Sequence, residues 1–330
     1  MGKRPKILVV GSFVMDQIAS TQIFPREGQT VLGESFRKAP GGKGANQAVQ
    51  AARLGADVTM FGKLGNDTNG EELLAACNQA GVNTRFVTYD DTEASGCAMI
   101  ILEEAPGQET RNRIIVIPGT NMSITPSDVA FLKGSIAEYD MVILQLEIPM
   151  EINEIVAKYA FDQGVPTMLN SAPSAPLSDE LLACLSFISP NEHEAEDMTG
   201  IHIRHVGSEI CMEDVRAAAE ILLKKGIQNV LITLGSGGAA LFNRAGSHYA
   251  PCSTDVTVVD PTAAGDSFVG AFCTGVCCGW SWDEILLFAN STASITVSSM
   301  GAMPSLPELS AVKQIMAQRQ EAIPNTAILE

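Results

Sequence analysis

The chain has 330 residues, 46% hydrophobic and 18% charged, which fits a compact protein with a sizeable core and excludes an intrinsically disordered one. Its formal net charge of −17 repels nucleic acid and anionic membranes, so neither is expected as a partner. No apolar run is long enough to span a bilayer and no secretory signal pattern follows Met1, so we expect a cytoplasmic protein.

Short apolar runs alternate with amphipathic segments along the chain. The runs predict strands over residues 7–10, 58–61, 141–146, 167–169, 187–188, 230–234, 239–242 and 256–259. Between them, the apolar spacing predicts helices over residues 45–54, 71–80, 150–163, 215–225 and 282–298. Several runs are nearly continuous Val, Ile and Leu, as expected for strands buried on both faces. The alternation predicts an α/β fold with a doubly wound, mostly parallel sheet flanked by helices, in a single domain over residues 1–330.

Two segments interrupt this alternation. The first, residues 18–36, has Gly and Pro between short β-branched runs, and the second has apolar runs at 98–102 and 113–117 around a polar turn. Both patterns predict hairpins outside the main sheet, so we expect a small β-sheet lid formed from about 14–38 and 96–118. Such a sheet would expose an apolar face that a second copy could cover, which predicts a homodimer.

The most informative run is residues 258–268, Val-Val-Asp-Pro-Thr-Ala-Ala-Gly-Asp-Ser-Phe. Small residues allow a tight turn and close backbone approach to a ligand, and a helix start offers unpaired N–H groups to an anion. Asp266, at the start of the predicted helix, is placed to take a proton from a hydroxyl that attacks phosphorus. The run therefore predicts phosphoryl transfer to an alcohol. Taken alone, it is equally consistent with an Asp that only caps a helix.

Polar residues follow the predicted strands repeatedly, where ligands bind in open parallel α/β sheets. They are Ser12, Asp16, Glu147, Asn170, Asn191, Glu194, Thr233, Asp260 and Asp266. A second Gly-rich segment, residues 40–47, precedes a helix, and its glycines would let the backbone close on a small polar ligand with Lys43 and Asn46 as donors. A simple turn before a helix is the alternative. Neither this segment nor residues 11–16, which follow the first predicted strand, match the dinucleotide fingerprint, and this disfavours a dehydrogenase.

The two Gly-containing signatures together carry a family resemblance. Residues 41–48 read Gly-Gly-Lys-Gly-Ala-Asn-Gln-Ala, and residues 260–268 read Asp-Pro-Thr-Ala-Ala-Gly-Asp-Ser-Phe. This pair, in this order, resembles the ribokinase family of sugar kinases, and the resemblance covers nearly the whole chain. It implies a doubly wound sheet with a β lid, a homodimer through the lids, and ATP-dependent phosphorylation of D-ribose at its O5 hydroxyl. The implied ions are Mg²⁺ on the nucleotide and an activating K⁺.

The resemblance also implies roles for individual residues. Asp266 would be the general base, beside an anion hole formed by the backbone amides of Ala263, Ala264 and Gly265. The sugar would contact Val14, Asp16, Gly42, Lys43, Asn46, Glu147 and Asp266. ATP would contact Asn191, Thr233, Gly235, Ser236, Gly238, Gly265 and Asn290. The monovalent cation would lie near Asp260, Thr262, Thr296, Ser299, Gly301 and Ser305, and Glu194 would hold Mg²⁺ through water.

Val14 departs from the family pattern, because many ribokinases have Asn at this place in the sugar pocket. A buried sugar hydroxyl without its hydrogen-bond partner costs roughly 1–3 kcal/mol. A deoxyribokinase acting on 2-deoxy-D-ribose is therefore the main alternative, followed by another sugar or nucleoside kinase of the same family. A catalytically silent sugar-binding protein on this fold is disfavoured, because Asp266 and the Gly-containing turn are both present.

Overall fold

The computed structural model describes residues 3–105, 107, 110–207, 209–253 and 255–330. In these ranges the strands are β1 (Lys6–Val10), β2 (Val14–Thr21), β3 (Ser35–Gly41), β4 (Asp57–Gly65), β5 (Asn83–Asp90), β6 (Cys97–Glu103), β7 (Arg111–Ile117), β8 (Met141–Gln145), β9 (Thr167–Asn170), β10 (Phe187–Ser189), β11 (His205–Val206), β12 (Glu209–Ile210), β13 (Asn229–Thr233), β14 (Ala239–Asn243) and β15 (Gly246–Ala250). The helices are α1 (Lys43–Arg53), α2 (Thr68–Gln79), α3 (Pro126–Val129), α4 (Leu132–Ser135), α5 (Met150–Asp162), α6 (Asp179–Cys184), α7 (Glu192–Thr199), α8 (Met212–Lys224), α9 (Ala264–Cys277), α10 (Trp282–Thr296) and α11 (Leu309–Gln318). Short 3₁₀ turns cover Gly119–Ser123, Ile136–Glu138, Gly235–Gly237 and Met303–Ser305.

The main sheet has the strand order β15-β14-β13-β10-β9-β8-β1-β4-β5. Its strands pair in parallel from β13 to β5, whereas β14 and β15 add an antiparallel hairpin at one edge. Ile7 and Val9 of β1 pack with α1, α9 and α10 on one face, and Leu8 and Val10 pack with α5 and α8 on the other. All four side chains are fully buried, which explains the uninterrupted apolar run. The predicted doubly wound, mostly parallel sheet is confirmed.

The strand predicted at residues 256–259 is wrong. These residues belong to the connection between β15 and α9, and Val258 and Val259 are 63% and 51% exposed. The backbone N–H of Val259 donates to the carbonyl of Val297, in the loop after α10, at 2.8 Å. β15 already occupies this edge of the sheet by pairing with β14, so the β-branched run has no place in it. The edge strands β5 and β15 escaped prediction because neither is a continuous apolar run.

A separate sheet of order β3-β2-β6-β7 stands outside the main sheet, as the two interrupting segments predict. Residues 106, 108 and 109 of the predicted polar turn lie outside the described residues. The junction with the main sheet is held by Asn121, whose amide accepts from the backbone N–H of Phe13 at 2.9 Å and donates to its carbonyl at 2.7 Å. Within the described ranges, no helix combines the length and the apolar character needed to cross a membrane.

The topology brings the predicted polar residues to one edge of the main sheet. β1, β8, β9, β10 and β13 are parallel, so their carboxyl ends lie side by side. Asn170 and Thr233 end β9 and β13, and Glu147 and Asn191 come two residues after the ends of β8 and β10. The small sheet extends from this same edge, because β2 begins four residues after β1 ends. A crevice therefore forms between the strand ends, α1, α9 and the lid.

Candidate active site

The small residues before Asp266 form the turn that starts α9. Ala263 has a φ of 63°, in the left-handed region that costs a non-glycine residue about 1–2 kcal/mol. Strain of this kind is typical of functional sites. Ala263, Gly265 and Asp266 together line one cavity at the carboxyl ends of the strands. Ala264 differs from the other two residues of the predicted anion hole, because its N–H donates to the carbonyl of Pro261 at 3.2 Å.

Asp266 is 6% exposed and accepts hydrogen bonds on both carboxylate oxygens. Asn46 donates to Oδ2 at 2.9 Å, and Gln47 donates to Oδ1 at 3.0 Å. The Oδ1 of Asn46 is buried and has no hydrogen-bond partner among the described residues. A buried acceptor in this position is suited to a hydroxyl donor from a ligand, because buried polar groups are almost always paired. The side chain of Asn46 thus holds one oxygen of the carboxylate and keeps an unpaired acceptor next to it.

Glu147 caps the start of α1. Its Oε2 accepts from the backbone N–H of Lys43 at 3.0 Å and from the hydroxyl of Ser12 at 2.5 Å. The Ser12 oxygen accepts in turn from the N–H of Gly44 at 3.2 Å. A carboxylate at a helix N-terminus is stabilised by the helix macrodipole and by otherwise unpaired amides. The Gly-rich segment therefore holds Glu147, which follows β8, against the first turn of α1.

The glycines of the same segment allow β2 of the lid to approach α1 closely. Gly42 has a φ of 94°, and a Cβ there would lie 2.6 Å from the backbone N of Val14. A Cβ at Gly41 would lie 3.3 Å from Oδ2 of Asp16. Val14 is 6% exposed, and its side chain has no hydrogen-bonding atom. Sequence-predicted Gly42, Val14 and Asp16 are thus brought together, and the glycines are the reason.

Carboxylates and one lysine set the electrostatics of the crevice. Burial, and then the charges of Glu147, Asp260 and Asp266, raises the pKa of Asp16 to about 7. Burial works to lower the pKa of Lys43, but the neighbouring carboxylates, with Asp266 the strongest, outweigh burial and raise that pKa. Lys43 therefore remains a cation at neutral pH. It lines the cavity beside Asp266 and supplies the local positive charge that an anionic ligand requires in a protein of net charge −17.

Asn191 and Glu194 form a capping box at the start of α7. The Asn191 Oδ1 accepts from the N–H of Glu194 at 2.9 Å, and the Glu194 Oε2 accepts from the N–H of Asn191 at 3.0 Å. Ser171 donates to the same carboxylate at 3.3 Å. Burial raises the pKa of Glu194, although the hydrogen bond from Asn191 and the charge of Lys43 oppose that rise. A carboxylate oxygen facing the cavity is the donor type that Mg²⁺ prefers, so Glu194 fits the metal role given by the resemblance.

The loop after β13 forms the next part of the predicted nucleotide site. Thr233 bridges to Asn191 and lines the same cavity. Gly235 and Gly238 have φ values of 53° and 93°, which let the chain turn back on itself, with Ser236 exposed between them. Asn290 is buried, and its Nδ2 donates to the carbonyl of Ala250 at 2.9 Å.

The residues of the predicted monovalent-cation site lie in the loop before α9 and in the segment that runs from the end of α10 to the 3₁₀ turn at Met303–Ser305. Asp260 joins the loops, because Oδ1 accepts from the N–H of Thr262 and Oδ2 accepts from the N–H of Gly301, both at 2.9 Å. Burial works to raise the pKa of Asp260, but these hydrogen bonds outweigh it and lower that pKa. The hydroxyls of Thr296 and Ser305 are used inside the protein. Main-chain carbonyls and Asp260 are therefore the oxygens that fit a cation here, and Ser299 is exposed nearby in sequence.

Residues from the predicted sugar, phosphoryl and nucleotide groups line one cavity of about 230 Å³: Lys43, Asn191, Glu194, Thr233, Ala263, Gly265 and Asp266. Asn170, which ends β9, lines it too and stands outside the role assignments. Sequence reasoning also missed Gln47 and Gln145, which reach Asp266 in series. The signal for Gln145 was a polar residue inside an otherwise apolar buried run.

This arrangement suits phosphoryl transfer. A carboxylate, a lysine and backbone amides at a helix start converge on one space, with a buried acceptor at Asn46 and a carboxylate at Glu194. Phosphoryl transfer needs alignment and charge neutralisation more than covalent chemistry, and these groups supply both. A model of the pfkB family of carbohydrate kinases matches residues 4–309. The chain belongs to this family. It is a sugar kinase, a phosphotransferase with an alcohol group as acceptor.

Relatives and solved structures agree with this family. The chain is 38% identical to Schizosaccharomyces pombe ribokinase over 310 residues, which cover 92% of this chain and 95% of that protein. It is 31% identical over 304 residues to a deoxyribokinase of Salmonella typhi, with 92% and 96% covered. The structure of Arabidopsis thaliana ribokinase complexed with ribose and ATP matches with a TM-score of 0.85 at 33% identity, covering 95% of this chain and 99% of that one. The family and fold inferred from the paired signatures are confirmed.

Proposed function

We propose that this sugar kinase transfers the γ-phosphoryl group of ATP to the O5 hydroxyl of D-ribose, giving ribose 5-phosphate and ADP. The observation that carries the proposal is the buried Asp266 carboxylate, which stands at the amide-lined start of α9 and beside Lys43 in one cavity. The similarity to ribokinases over most of the chain supports ribose as the acceptor. One kinase domain over residues 1–330, with a lid from about 14–38 and 96–118, would carry the reaction.

Asp266 acts as the general base. The sugar oxygen forms a bond to the γ-phosphorus as the bond between that phosphorus and the β,γ-bridging oxygen breaks, and the hydroxyl proton passes to Asp266. Asn46 and Gln47 hold the carboxylate in place, and the partnerless Oδ1 of Asn46 accepts from a sugar hydroxyl. A fixed carboxylate and a fixed hydroxyl bring the reacting atoms into line, which is a main source of rate in this chemistry.

The transferring group lies against the start of α9. Backbone amides of Ala263 and Gly265 and the ammonium of Lys43 neutralise its charge, with Ala264 completing the turn. Lys43 thus serves the phosphoryl group as well as the sugar. The strained backbone of Ala263 is what presents the turn in this geometry.

The sugar hydroxyls are held between α1 and the lid. Asp16 and Glu147 accept from hydroxyl donors, and the backbone at Gly42 lies close enough to contact the ring. Because Asp16 belongs to β2, the lid and the sugar are ordered together. Closure by the lid then excludes water and limits hydrolysis of ATP.

ATP extends from the cavity across the ends of β10 and β13. Thr233, Gly235, Ser236 and Gly238 form the loop against which it lies. Asn290 bonds the carbonyl of Ala250 in β15, which pairs with Ala239 directly after that loop. Asn191 and Glu194 face the phosphates, with Glu194 holding Mg²⁺ through water. Bound Mg²⁺ neutralises phosphate charge.

A monovalent cation, K⁺, belongs beside the anion-hole turn. Asp260 ties the loop that leads into α9 to the loop that contains Gly301, and a cation held by their carbonyls would stiffen the turn at Ala263. Thr262, Thr296, Ser299 and Ser305 contribute through their place in these loops, since the hydroxyls of Thr296 and Ser305 bond elsewhere. Melting temperature in K⁺ against Na⁺ tests cation binding independently of activity.

A deoxyribokinase is the second candidate, and Val14 is the observation that favours it. An apolar side chain, 6% exposed, lies where β2 meets Gly42, so this part of the pocket cannot accept a hydrogen bond from a hydroxyl. The similarity to a deoxyribokinase supports the same possibility. If Asp16 and the Gly-rich turn bind the 2-hydroxyl without position 14, ribose remains the better substrate.

The deciding experiment compares ATP-dependent phosphorylation of D-ribose and 2-deoxy-D-ribose by the purified protein, each in K⁺ and in Na⁺. A higher kcat/KM on ribose supports the first proposal, and a preference for 2-deoxyribose makes Val14 the specificity determinant. Asp266→Asn protein purified in parallel controls for contaminating kinases. No turnover of either sugar would overturn both candidates and direct the search to other sugars and nucleosides.

We also propose that two copies associate through their lids. β7 exposes Ile114, Ile115, Val116 and Ile117 by 51%, 64%, 57% and 44%, and its neighbour β6 exposes Met99 by 50%. Contiguous apolar surface of this kind marks interaction sites. A second lid would cover one face of this sheet and protect its edge strand.

A further inference from the structure

Two buried glutamines lie behind the carboxylate of Asp266. We propose that Gln47 and Gln145 act in series as positioning residues that fix the orientation of this carboxylate. The inference rests on the proposed role of Asp266 as the base. It adds two residues that do not line the cavity and that reach it through hydrogen bonds to Asp266.

The contacts form a continuous series across three elements. Gln145, the last residue of β8, donates from Nε2 to Oε1 of Gln47 at 2.7 Å. Gln47, in the first half of α1, donates from Nε2 to Oδ1 of Asp266 at 3.0 Å. Both glutamines are fully buried. The series therefore links the strand that precedes Glu147 to the helix that bears the base.

Gln145 holds the Gln47 amide in the orientation that Asp266 requires. An amide has one donor end and one acceptor end, and a carboxylate only accepts. Because Gln145 presents its donor to Gln47, the Gln47 oxygen is used there and its NH₂ group must point to Asp266. Without that donor, the Gln47 oxygen is left buried and unpaired, and the amide is no longer held in place against the carboxylate.

The surrounding backbone holds Gln145 in position. Asn153 of α5 donates to its carbonyl at 2.9 Å, which anchors the end of β8. A Cβ at Gly11 would overlap Oε1 of Gln145, so the glycine after β1 leaves the space that this amide fills. The Oε1 of Gln145 has no hydrogen-bond partner among the described residues. An unpaired buried oxygen is unfavourable for stability, so the contribution of the Gln145 amide lies in its NH₂ donor to Gln47.

The test measures kcat and both KM values for Gln47→Leu, Gln145→Leu and the double variant, using ribose and ATP. A misplaced carboxylate affects the transition state more than ground-state binding, so kcat is expected to fall about 10- to 100-fold while each KM changes less than about threefold. Because the residues act in series, the double variant should lose no more than Gln47→Leu alone, within about twofold. Multiplying losses, or unchanged kcat in Gln47→Leu, would overturn the inference.

Gln145→Glu gives a readout that a merely structural role would not produce. A protonated carboxyl at this position can still donate to Gln47, whereas an ionised one cannot and instead attracts the Gln47 NH₂ group away from Asp266. The kcat of this variant should therefore fall more steeply with rising pH than the kcat of the wild type. Parallel pH profiles would count against the amide-orientation argument.

Gln50→Leu is the matched control. Gln50 is one turn further along α1 and equally buried, but its amide bonds the Pro307 carbonyl at 3.0 Å and the Ser267 hydroxyl at 3.1 Å. It should lose stability like the other variants yet keep kcat within about threefold, because it does not touch Asp266. An equal loss of kcat in Gln50→Leu would mean that the losses in the Gln47 and Gln145 variants come from general damage to the core. Wild-type protein inactive on sugars would instead refute the proposed function itself.

Discussion

The crevice and the lid use their side chains in opposite ways. In the crevice, Asp266 and Glu147 are each held by two hydrogen bonds from the protein, so their positions are fixed before any ligand arrives. In the lid, Ile115 of β7 is 64% exposed, and Met99, which lies opposite it on β6, is 50% exposed. The catalytic carboxylates are therefore held in place by the main sheet and its helices. The lid instead exposes apolar surface that a ligand or a second chain can cover.

The largest effect should follow from the base. Asp266→Asn keeps the shape and the hydrogen-bonding neighbours but cannot take the proton, so kcat should fall by about 10²–10⁴-fold. Steady-state kinetics with ribose and ATP measures this. Asp214→Asn, at the start of α8 and paired with Arg204, provides a control with the same chemical change at a residue that does not line the cavity, and it should keep kcat. Turnover near the wild-type level in Asp266→Asn would refute the base assignment.

The same glycine substitution should have different consequences in the two regions. Gly42→Ala forces a left-handed alanine and places its Cβ 2.6 Å from the Val14 nitrogen, so it should cost roughly 2–4 kcal/mol in the free energy of unfolding. Gly28→Ala, in the connection between β2 and β3, has a φ of 71° but no atom near the added Cβ, so about 1 kcal/mol is expected. Chemical denaturation of both variants checks the contrast. Equal losses would mean that the turn at Gly42 relaxes freely.

Asp16 connects the two regions, and its charge should make stability depend on pH. The native state keeps its proton up to a pKa of about 7, whereas the unfolded aspartate loses it near 3.8. The native state therefore binds more protons between these values, and the contribution of Asp16 to stability falls as pH rises through this window. Asn cannot ionise. The free energy of unfolding of Asp16→Asn, relative to that of the wild type, should therefore rise by roughly 2 kcal/mol from about pH 5 to about pH 8. A stability difference independent of pH, measured by denaturation at both values, would contradict this.

The smallest effect on folding is expected in the lid, where substitutions should change association instead. Ile114→Glu and Ile115→Glu lie next to each other on β7 and point to opposite faces of the sheet. Each should change the free energy of unfolding of one chain by less than about 0.5 kcal/mol, because both side chains are exposed. Light scattering should show that one of them dissociates the dimer, and thereby identify the covered face. A wild-type protein that is monomeric at micromolar concentration would refute the lid-mediated dimer.

The sequence by itself determined the order of most strands and helices, the α/β class, the separate small sheet and the residues of the two signatures. These features are local, since strand and helix periodicities and a small-residue turn are readable over about ten residues. Local preference also produced the error at residues 256–259, where a β-branched run lies in a connection because the sheet edge was already occupied.

Only the tertiary structure decided which side chains meet. Gln47 lies 98 residues from Gln145 and 219 from Asp266, and only the arrangement of β8, α1 and α9 brings the three into contact. The same holds for the pKa of Asp16, which depends on burial and on carboxylates from other segments. Packing likewise decided the surroundings of Thr296, which the resemblance placed near the monovalent cation and whose hydroxyl donates to the Ser267 hydroxyl in the core. Periodicity specifies each element, but the pairing of distant side chains depends on how the elements pack.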